Sequence, residues 1–191
     1  MEKAAARAEI KRRLGRLTPR DRTEKSARAL NLLVGVQEYR AAHCVLLFAS
    51  LPDEIDTLPI IRRALSDGKR VILPRCVMRT RQLVLCPISD VDRDLAIGTL
   101  GIREPIGDGT VATAEIDFAV IPARAYDEEG NRLGRGAGFY DRLLGDPSFR
   151  AIRCGLAYEE QVLVGLPCEA HDRPVEIIVT DRKVRRIRQA C

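Results

Sequence analysis

Between positions 131 and 142 the chain reads Asn131-Arg132-Leu133-Gly134-Arg135-Gly136-Ala137-Gly138-Phe139-Tyr140-Asp141-Arg142. Three glycines at alternate positions let a backbone approach a ligand closely and turn its N–H groups inward. A helix following such a loop adds positive potential at its N-terminus, which suits phosphate. Arg132 and Arg135 can add charge-assisted hydrogen bonds to phosphate oxygens. The spacing is neither the dinucleotide-binding G-x-G-x-x-G nor the G-x-x-x-x-G-K of a P-loop. Taken alone, the glycines fit an ordinary tight turn as well as they fit a phosphate cradle.

The other reactive side chains narrow the chemistry. The two histidines (His43, His171) and six cysteines (Cys44, Cys76, Cys86, Cys154, Cys168, Cys191) contain no C-x-x-C pair. A zinc cage would have to be assembled from scattered single ligands, which argues against one. No Ser/His/Asp or Cys/His constellation is recognisable. Most of the cysteines sit inside apolar runs and read as buried thiols in a reducing compartment. His43 opens an apolar run and reads as structural, while His171 reads as a neighbour that orients Asp172.

Charge adds a further constraint. Of the 32 Lys and Arg residues, five stand at 182, 183, 185, 186 and 188 with no acid among the last ten residues, so residues 1–181 balance 27 basic against 27 acidic groups. Residues 1–40 are basic and 41–181 acidic, a lip-and-body arrangement that can attract an anionic small molecule or nucleic acid, or simply reflect solvated helix faces. Nucleic acid finds little support: four Tyr, four Phe and no Trp offer few stacking platforms. No run approaches the roughly 20 apolar residues that cross a bilayer, and Glu2 and Glu9 argue against reading the Ala- and Arg-rich start as a presequence. A cytoplasmic, soluble monomer with no membrane or nucleic-acid partner is expected.

The elements that must position these residues follow from periodicity. Ile10, Leu14 and Leu17 recur at helical spacing within Lys3 to Leu17, with Lys3, Arg7 and Lys11 on another face. Thr18-Pro19-Arg20-Asp21 caps a second helix running to about Gly35. Short apolar runs then alternate with helical stretches, the pattern of an α/β domain whose parallel or mixed sheet carries helices on both faces. Strands are expected at His43 to Ala49, Arg70 to Leu73 (ended by Pro74), Arg81 to Cys86, Ile116 to Ile121, Ala151 to Leu156 and Val175 to Val179, with a helix over Thr57 to Ser66. Residues 87–115 are hard to read, with short helix or loop character around Asp90 to Leu95 and turns at Gly98, Gly101, Gly107 and Gly109. One domain is expected over 1–181, followed by a basic C-terminal tail, 182–191.

With its neighbours the Gly-rich stretch becomes specific. Its R-L-G-R-G-x-G-[FY]-Y-D closely resembles the signature of the 5-formyltetrahydrofolate cyclo-ligases, also called methenyltetrahydrofolate synthetases. Lys3 and Arg7 resemble that family's N-terminal K-x-x-x-R, Ser50 to Thr57 its substrate segment, Gly68 to Arg75 its next strand, Gly101 to Pro105 its middle loop, and Ile116 to Pro122 and His171 to Thr180 its later segments.

The resemblance implies an α/β fold and an enzyme that uses ATP and Mg2+ to close 5-formyltetrahydrofolate, a reduced folate, into 5,10-methenyltetrahydrofolate. It implies that ATP is held by Lys3, Arg7 and the loop Arg132, Leu133, Gly134, Arg135, Gly136, Ala137, Gly138, Phe139 and Tyr140. It places Asp141 and Asp172 near the metal, and Leu51 and Glu54 against the folate together with Arg135 to Phe139. Arg135 and Tyr140 are its catalytic candidates.

Each role has a physical rationale beside a plainer alternative. Lys3 and Arg7, four apart on one helix face, can grip a polyphosphate, yet without the resemblance they read as solvent-facing. Asp141 and Asp172 offer the hard oxygen ligands magnesium prefers, but Asp141 also suits a pair with Arg142. Glu54 can accept hydrogen bonds from pterin N–H groups, or merely mark helix entry before Thr57. Phe139 departs from the family's first tyrosine, keeping a ring but not a hydroxyl, and a folate- or nucleotide-binding regulator without turnover is the reading it favours. Pro122-Ala123-Arg124-Ala125-Tyr126-Asp127 also departs from the family's pattern, and the sequence offers no account of Arg124.

The reaction implied replaces a poor leaving group. Phosphorylation of the formyl oxygen gives an imidate phosphate, N10 attacks its carbon, and phosphate leaves, so the protein's task is positioning and charge neutralisation rather than nucleophilic attack.

Overall fold

A computed structural model describes residues 2–98, 101–169 and 172–187. The first helix, α1 (Lys3–Leu14), buries Ala6, Ile10 and Leu14 on one face and ends at Leu14, three residues short of the expected Leu17, with Gly15 as its C-cap. The second, α2 (Pro19–Val34), begins with the expected capping box. Thr18 Oγ1 accepts the Asp21 N–H at 3.1 Å and Asp21 Oδ2 accepts the Thr18 N–H at 2.9 Å. A short helix that the sequence did not signal, α3 (Gln37–Ala41), follows and buries Tyr39.

The chain then alternates as expected. The main sheet is built from β1 (Cys44–Leu46), β2 (Arg70–Val77), β3 (Gln82–Ile88), β6 (Phe118–Ile121), β9 (Ile152–Leu156), β11 (Ile177–Val179) and β12 (Val184–Arg186). Between β1 and β2 lies α4 (Leu58–Ser66), and between β6 and β9 lies α5 (Phe139–Leu144). Spatial order is β12-β11-β9-β6-β1-β2-β3, parallel from β11 through β2 with an antiparallel strand at each edge. Residues 87–115, unreadable in sequence, include a two-stranded hairpin of β4 (Leu95–Ile97) and β5 (Arg103–Pro105). A second small sheet joins β7 (Ala125–Asp127), β8 (Arg132–Leu133) and β10 (Val162–Leu163).

Two-residue alternation divides the core. Val45, Phe118, Val120, Ile177 and Val179 pack with Ile10, Leu33 and Ile60 of the helices, whereas Leu46, Ala119, Ile121 and Ile178 pack with Leu143 and Leu144 of α5. Among the described residues, helices therefore cover both faces, α1 to α4 on one and α5 on the other.

Two strand expectations are corrected. Pro74 does not end β2, which continues to Val77. Even-numbered residues of β2 bond toward β1, as Arg70 N to His43 O and Leu47 N to Ile72 O show. Because β1 ends at Leu46, the missing N–H of Pro74 falls beyond the last ladder partner and costs no hydrogen bond. The described part of the basic tail is not outside the domain: β12 pairs antiparallel with β11, Ile177 opposite Arg186 and Val179 opposite Val184. Its arginines are tolerated there because Arg185, 9% exposed, is bonded to Glu159 and Glu128, and Arg186 to Glu38. Residues 188–191 and His171 lie outside the described residues.

The topology fixes where a site can form. From β1 the chain crosses to β2 on one side, and from β6 it crosses to β9 on the other, so the connections diverge between β1 and β6 and leave a crevice at their carboxyl ends.

Candidate active site

A cleft opens at that divergence. Phe48, Ala49, Leu51 and Glu54 enter it from the segment after β1, and Pro122 and Ala123 from the segment after β6. Pro74 and Cys76 of β2, Leu83 of β3, and Ile102, Arg103 and Glu104 of the β4–β5 hairpin form an opposite wall. The third wall is the Gly-rich loop itself, from Gly134 through Gly138, continued by Phe139, Tyr140 and Asp141 of α5. The lining is mainly apolar with a few convergent charges, the usual character of a small-molecule site.

Local conformation explains the glycines. Gly136 and Gly138 have φ of 100° and 74°, a region costly for residues with a Cβ. Gly138 hands the chain to α5, so the loop does lead into a helix, although one of only six residues. Arg132, 8% exposed, is bonded through Nη2 to Asp141 Oδ1, and its Nε is buried without a partner. That pairing, rather than Asp141 with Arg142, ties the start of the loop to the first turn of α5. Leu133 is a core residue 3% exposed whose carbonyl accepts the Arg124 N–H at 2.7 Å, so its side chain does not line the cleft.

Arg135 reaches across the cleft. Its Nη2 donates to Glu54 Oε1 at 2.8 Å and to Asp53 Oδ1 at 2.6 Å. The second oxygen of Glu54 accepts the Leu51 N–H at 3.0 Å, and the Glu54 carbonyl accepts the Tyr158 hydroxyl at 3.1 Å. Asp53 is also bonded to Arg124. Burial would raise the pKa of Asp53, but the bonds from Arg135 and Arg124 outweigh it and hold the carboxyl below its ordinary value. Burial likewise opposes the charge of Arg135, yet Glu54 and Asp53 leave its pKa raised. Tyr140 titrates well above its ordinary value, chiefly through burial and then through the nearby Glu54 charge, so at neutral pH it is a phenol that can donate a hydrogen bond.

The N-terminal pair lies on the other side of the loop. Arg7 donates from Nε and Nη2 to the Gly134 carbonyl, both at 3.3 Å, so it is not simply solvent-facing. Lys3 Nζ lies 2.6 Å from Glu169 Oε1 and 3.6 Å from Asp172 Oδ2, and Asp172 Oδ2 also accepts the Glu169 N–H at 2.9 Å. Thus the loop residues 134–141, Arg132, Leu51 and Glu54 meet at one cleft, while Lys3, Arg7, Leu133 and Asp172 do not line it. Among the described residues no group of three or more His, Cys, Asp or Glu side chains is placed to hold a metal by itself.

The family model of the 5-formyltetrahydrofolate cyclo-ligase family matches residues 1–181. The chain belongs to this family. Among its relatives, the 5-formyltetrahydrofolate cyclo-ligase of Escherichia coli K12 is 33% identical over 178 residues, covering 92% of this chain and 98% of its own length. The cyclo-ligase of Mus musculus is 27% identical over 188 residues, covering 93% and 92%. The solution structure of the Aquifex aeolicus 5,10-methenyltetrahydrofolate synthetase superposes with a TM-score of 0.86 at 32% identity over 100% of this chain and 95% of that one. A synthetase from Mycoplasma pneumoniae, at 17% identity and a TM-score of 0.75, shares the fold.

Set against this cyclo-ligase frame, four charged residues in or beside the cleft carry no role in the sequence: Arg103 and Glu104 line it, and Asp53 and Arg124 stand behind Arg135. Asp53 and Arg124 were legible only as an acidic doublet, Asp53-Glu54, and an unexplained arginine far along the chain; their opposite charge was the available signal. Arg103 and Glu104 lay in a segment quoted for its resemblance but given no role. Glu104 is 6% exposed, and its Oε1 accepts the Cys76 N–H at 3.1 Å. The Cys76 thiol beside it is pushed up to about 12, by burial and then by the Glu104 carboxylate, and stays protonated at neutral pH.

Proposed function

We propose that the protein catalyses the ATP-dependent cyclisation of 5-formyltetrahydrofolate to 5,10-methenyltetrahydrofolate, releasing ADP and phosphate. The observation that carries this reading is the Arg135–Glu54 contact, which joins a Gly-rich loop suited to phosphate to a half-buried carboxylate suited to a pterin, across a single cleft. The γ-phosphoryl group passes to the formyl oxygen. N10 then attacks the formyl carbon and loses its proton as the C–O bond breaks and phosphate departs, which balances the reaction without a protein nucleophile.

The residues divide the work by position. The loop's N–H groups, with Arg132 and Arg135, neutralise phosphate charge on one side, and Lys3 and Arg7 reach the nucleotide from α1. Leu51 and Glu54 hold the pterin, with Phe139 packed beside it. Tyr140, a neutral phenol, donates toward the formyl or phosphoryl oxygen. Magnesium is bound by proteins through one or two carboxylates plus substrate phosphates rather than by an all-protein cage, and that fits a single carboxylate here: Asp141, at the cleft, would hold it, whereas Asp172 lies outside the cleft beside Lys3. Its contribution when bound is to neutralise the charge on the transferring phosphoryl group. No helix among the described residues is long and apolar enough to cross a membrane. The buried, neutral thiols of Cys86 and Cys154 support a reducing, cytoplasmic setting.

The test is direct. Purified protein with 5-formyltetrahydrofolate develops the near-ultraviolet absorbance of methenyltetrahydrofolate only when ATP and magnesium are both added. Equal product without ATP would overturn the ligase assignment, and tight folate binding without turnover would make the protein a binding regulator.

A further inference from the structure

Arg124, the arginine that no motif explains, stands one residue behind the cleft. Pro122 and Ala123 line the cleft, whereas Arg124 and its partner Asp53 do not. The backbone of Arg124 is fixed on both sides. Its N–H donates to the Leu133 carbonyl at 2.7 Å, and its carbonyl accepts from Gln161 Nε2 at 3.2 Å, on a side chain only 2% exposed. From that anchorage the guanidinium is bonded through Nη1 to Asp53 Oδ2. The other oxygen, Asp53 Oδ1, accepts from Arg135 Nη2 at 2.6 Å, and Arg135 also donates to Glu54 Oε1, from Nη2 at 2.8 Å and from Nε at 3.2 Å. Charges of alternating sign thus run Arg124, Asp53, Arg135, Glu54 from behind the Gly-rich loop into the cleft.

Arg135 faces two carboxylates. By themselves those three groups carry net negative charge beside a loop whose other arginine, Arg132, is already paired with Asp141, and that charge opposes an approaching phosphate. Arg124 supplies the compensating positive charge from a fixed position. We propose that Arg124 is a positioning residue for phosphoryl transfer: by holding Asp53 it balances the second carboxylate on Arg135 and keeps that guanidinium available to the phosphates of the nucleotide. This rests on the function proposed above and deepens it. Arg124 acts through Asp53 and Arg135 and itself touches no substrate. A plain staple between segments 71 residues apart would hold the same geometry. Such a staple fails alike when broken from either end, whereas charge balance gives opposite signs at the two ends: losing Arg124 weakens nucleotide binding, and losing the Asp53 charge strengthens it.

Steady-state kinetics with Mg-ATP and 5-formyltetrahydrofolate, each varied in turn, separates the two. Arg124→Gln should raise the ATP KM about fivefold or more and leave the folate KM within about twofold of the parent value. Arg124→Lys, which keeps the charge, should recover most of that loss. Asp53→Asn should lower the ATP KM, and Arg124→Gln combined with Asp53→Asn should return it to within about twofold of the parent value. A rise in the ATP KM in both single variants, or an Arg124→Gln protein in which only the folate KM rises or neither constant moves, overturns the proposal while leaving the cyclo-ligase reading intact. If Arg124→Gln does not fold, the sign of the Asp53→Asn change decides. Absence of turnover in the wild type overturns the cyclo-ligase reading instead; calorimetric titration of the same variants with Mg-ATP, in which the same order of affinities is expected, then decides the role of Arg124.

Discussion

Arg135 lies within hydrogen-bond distance of both Glu54 and Asp53, 2.8 Å from one carboxylate and 2.6 Å from the other, so one guanidinium links two loops 81 residues apart in the chain. A variant on either side of this contact therefore acts on both substrates. Arg135→Ala is expected to lower kcat/KM at least tenfold, about 1.4 kcal/mol, and Arg135→Lys to recover part of it. Glu54→Gln is expected to raise the folate KM more than the ATP KM. The double variant should lose less than the sum of the two single losses, measured as a double-mutant cycle on kcat/KM; strict additivity would mean the contact does not persist with substrates bound.

Phe139 is 8% exposed and lines the cleft at the first turn of α5. Phe139→Tyr is expected to leave the melting temperature and kcat/KM within about threefold of the parent values, as the volume change is small. A rate gain of tenfold or more would identify this chain as a weakened member of its family.

Deleting 182–191 removes β12 and with it the antiparallel cover of β11, together with the buried Arg185. The expected outcome is loss of cooperative unfolding by circular dichroism, because β11 would gain an unpaired edge and Glu159 would lose its cation. Arg185→Met is the milder form and should cost about 3 kcal/mol in urea unfolding. A fully active 1–181 protein would refute the structural role of the edge strand.

Acid sensitivity should trace partly to Glu159. Its hydrogen bonds from Arg185, and secondarily from Thr180, overcome burial and lower its pKa from 4.5 to about 2. Because the folded value is the lower one, the unfolded chain binds the extra proton. The resulting stability is present above about pH 4.5 and disappears as pH falls through 2. The stability gap between the wild type and Glu159→Gln should thus be largest near neutral pH and close progressively below pH 4.5. A gap that stays constant across that range would remove the pair from the acid response.

Local pattern carried much of the fold. Thr18 and Asp21 are three residues apart, so the capping box was visible as a spelling, and Leu46, Ile72, Ile121 and Ile178 lie in short apolar runs whose alternation with helices implies a layered sheet. The loop at 134–138 was legible for the same reason, since alternating glycines describe a backbone conformation that is itself local. What sequence could not determine depends on residues brought together across the chain. Pro74 reads as a strand end because its missing N–H matters only if a partner stands opposite, and that partner's early stop at Leu46 is a tertiary fact. The basic run after 181 reads as a tail because its arginines look solvated until Glu159, Glu128 and Glu38 are placed beside them. Arg124 gained a partner only when Asp53, 71 residues earlier, was set against it.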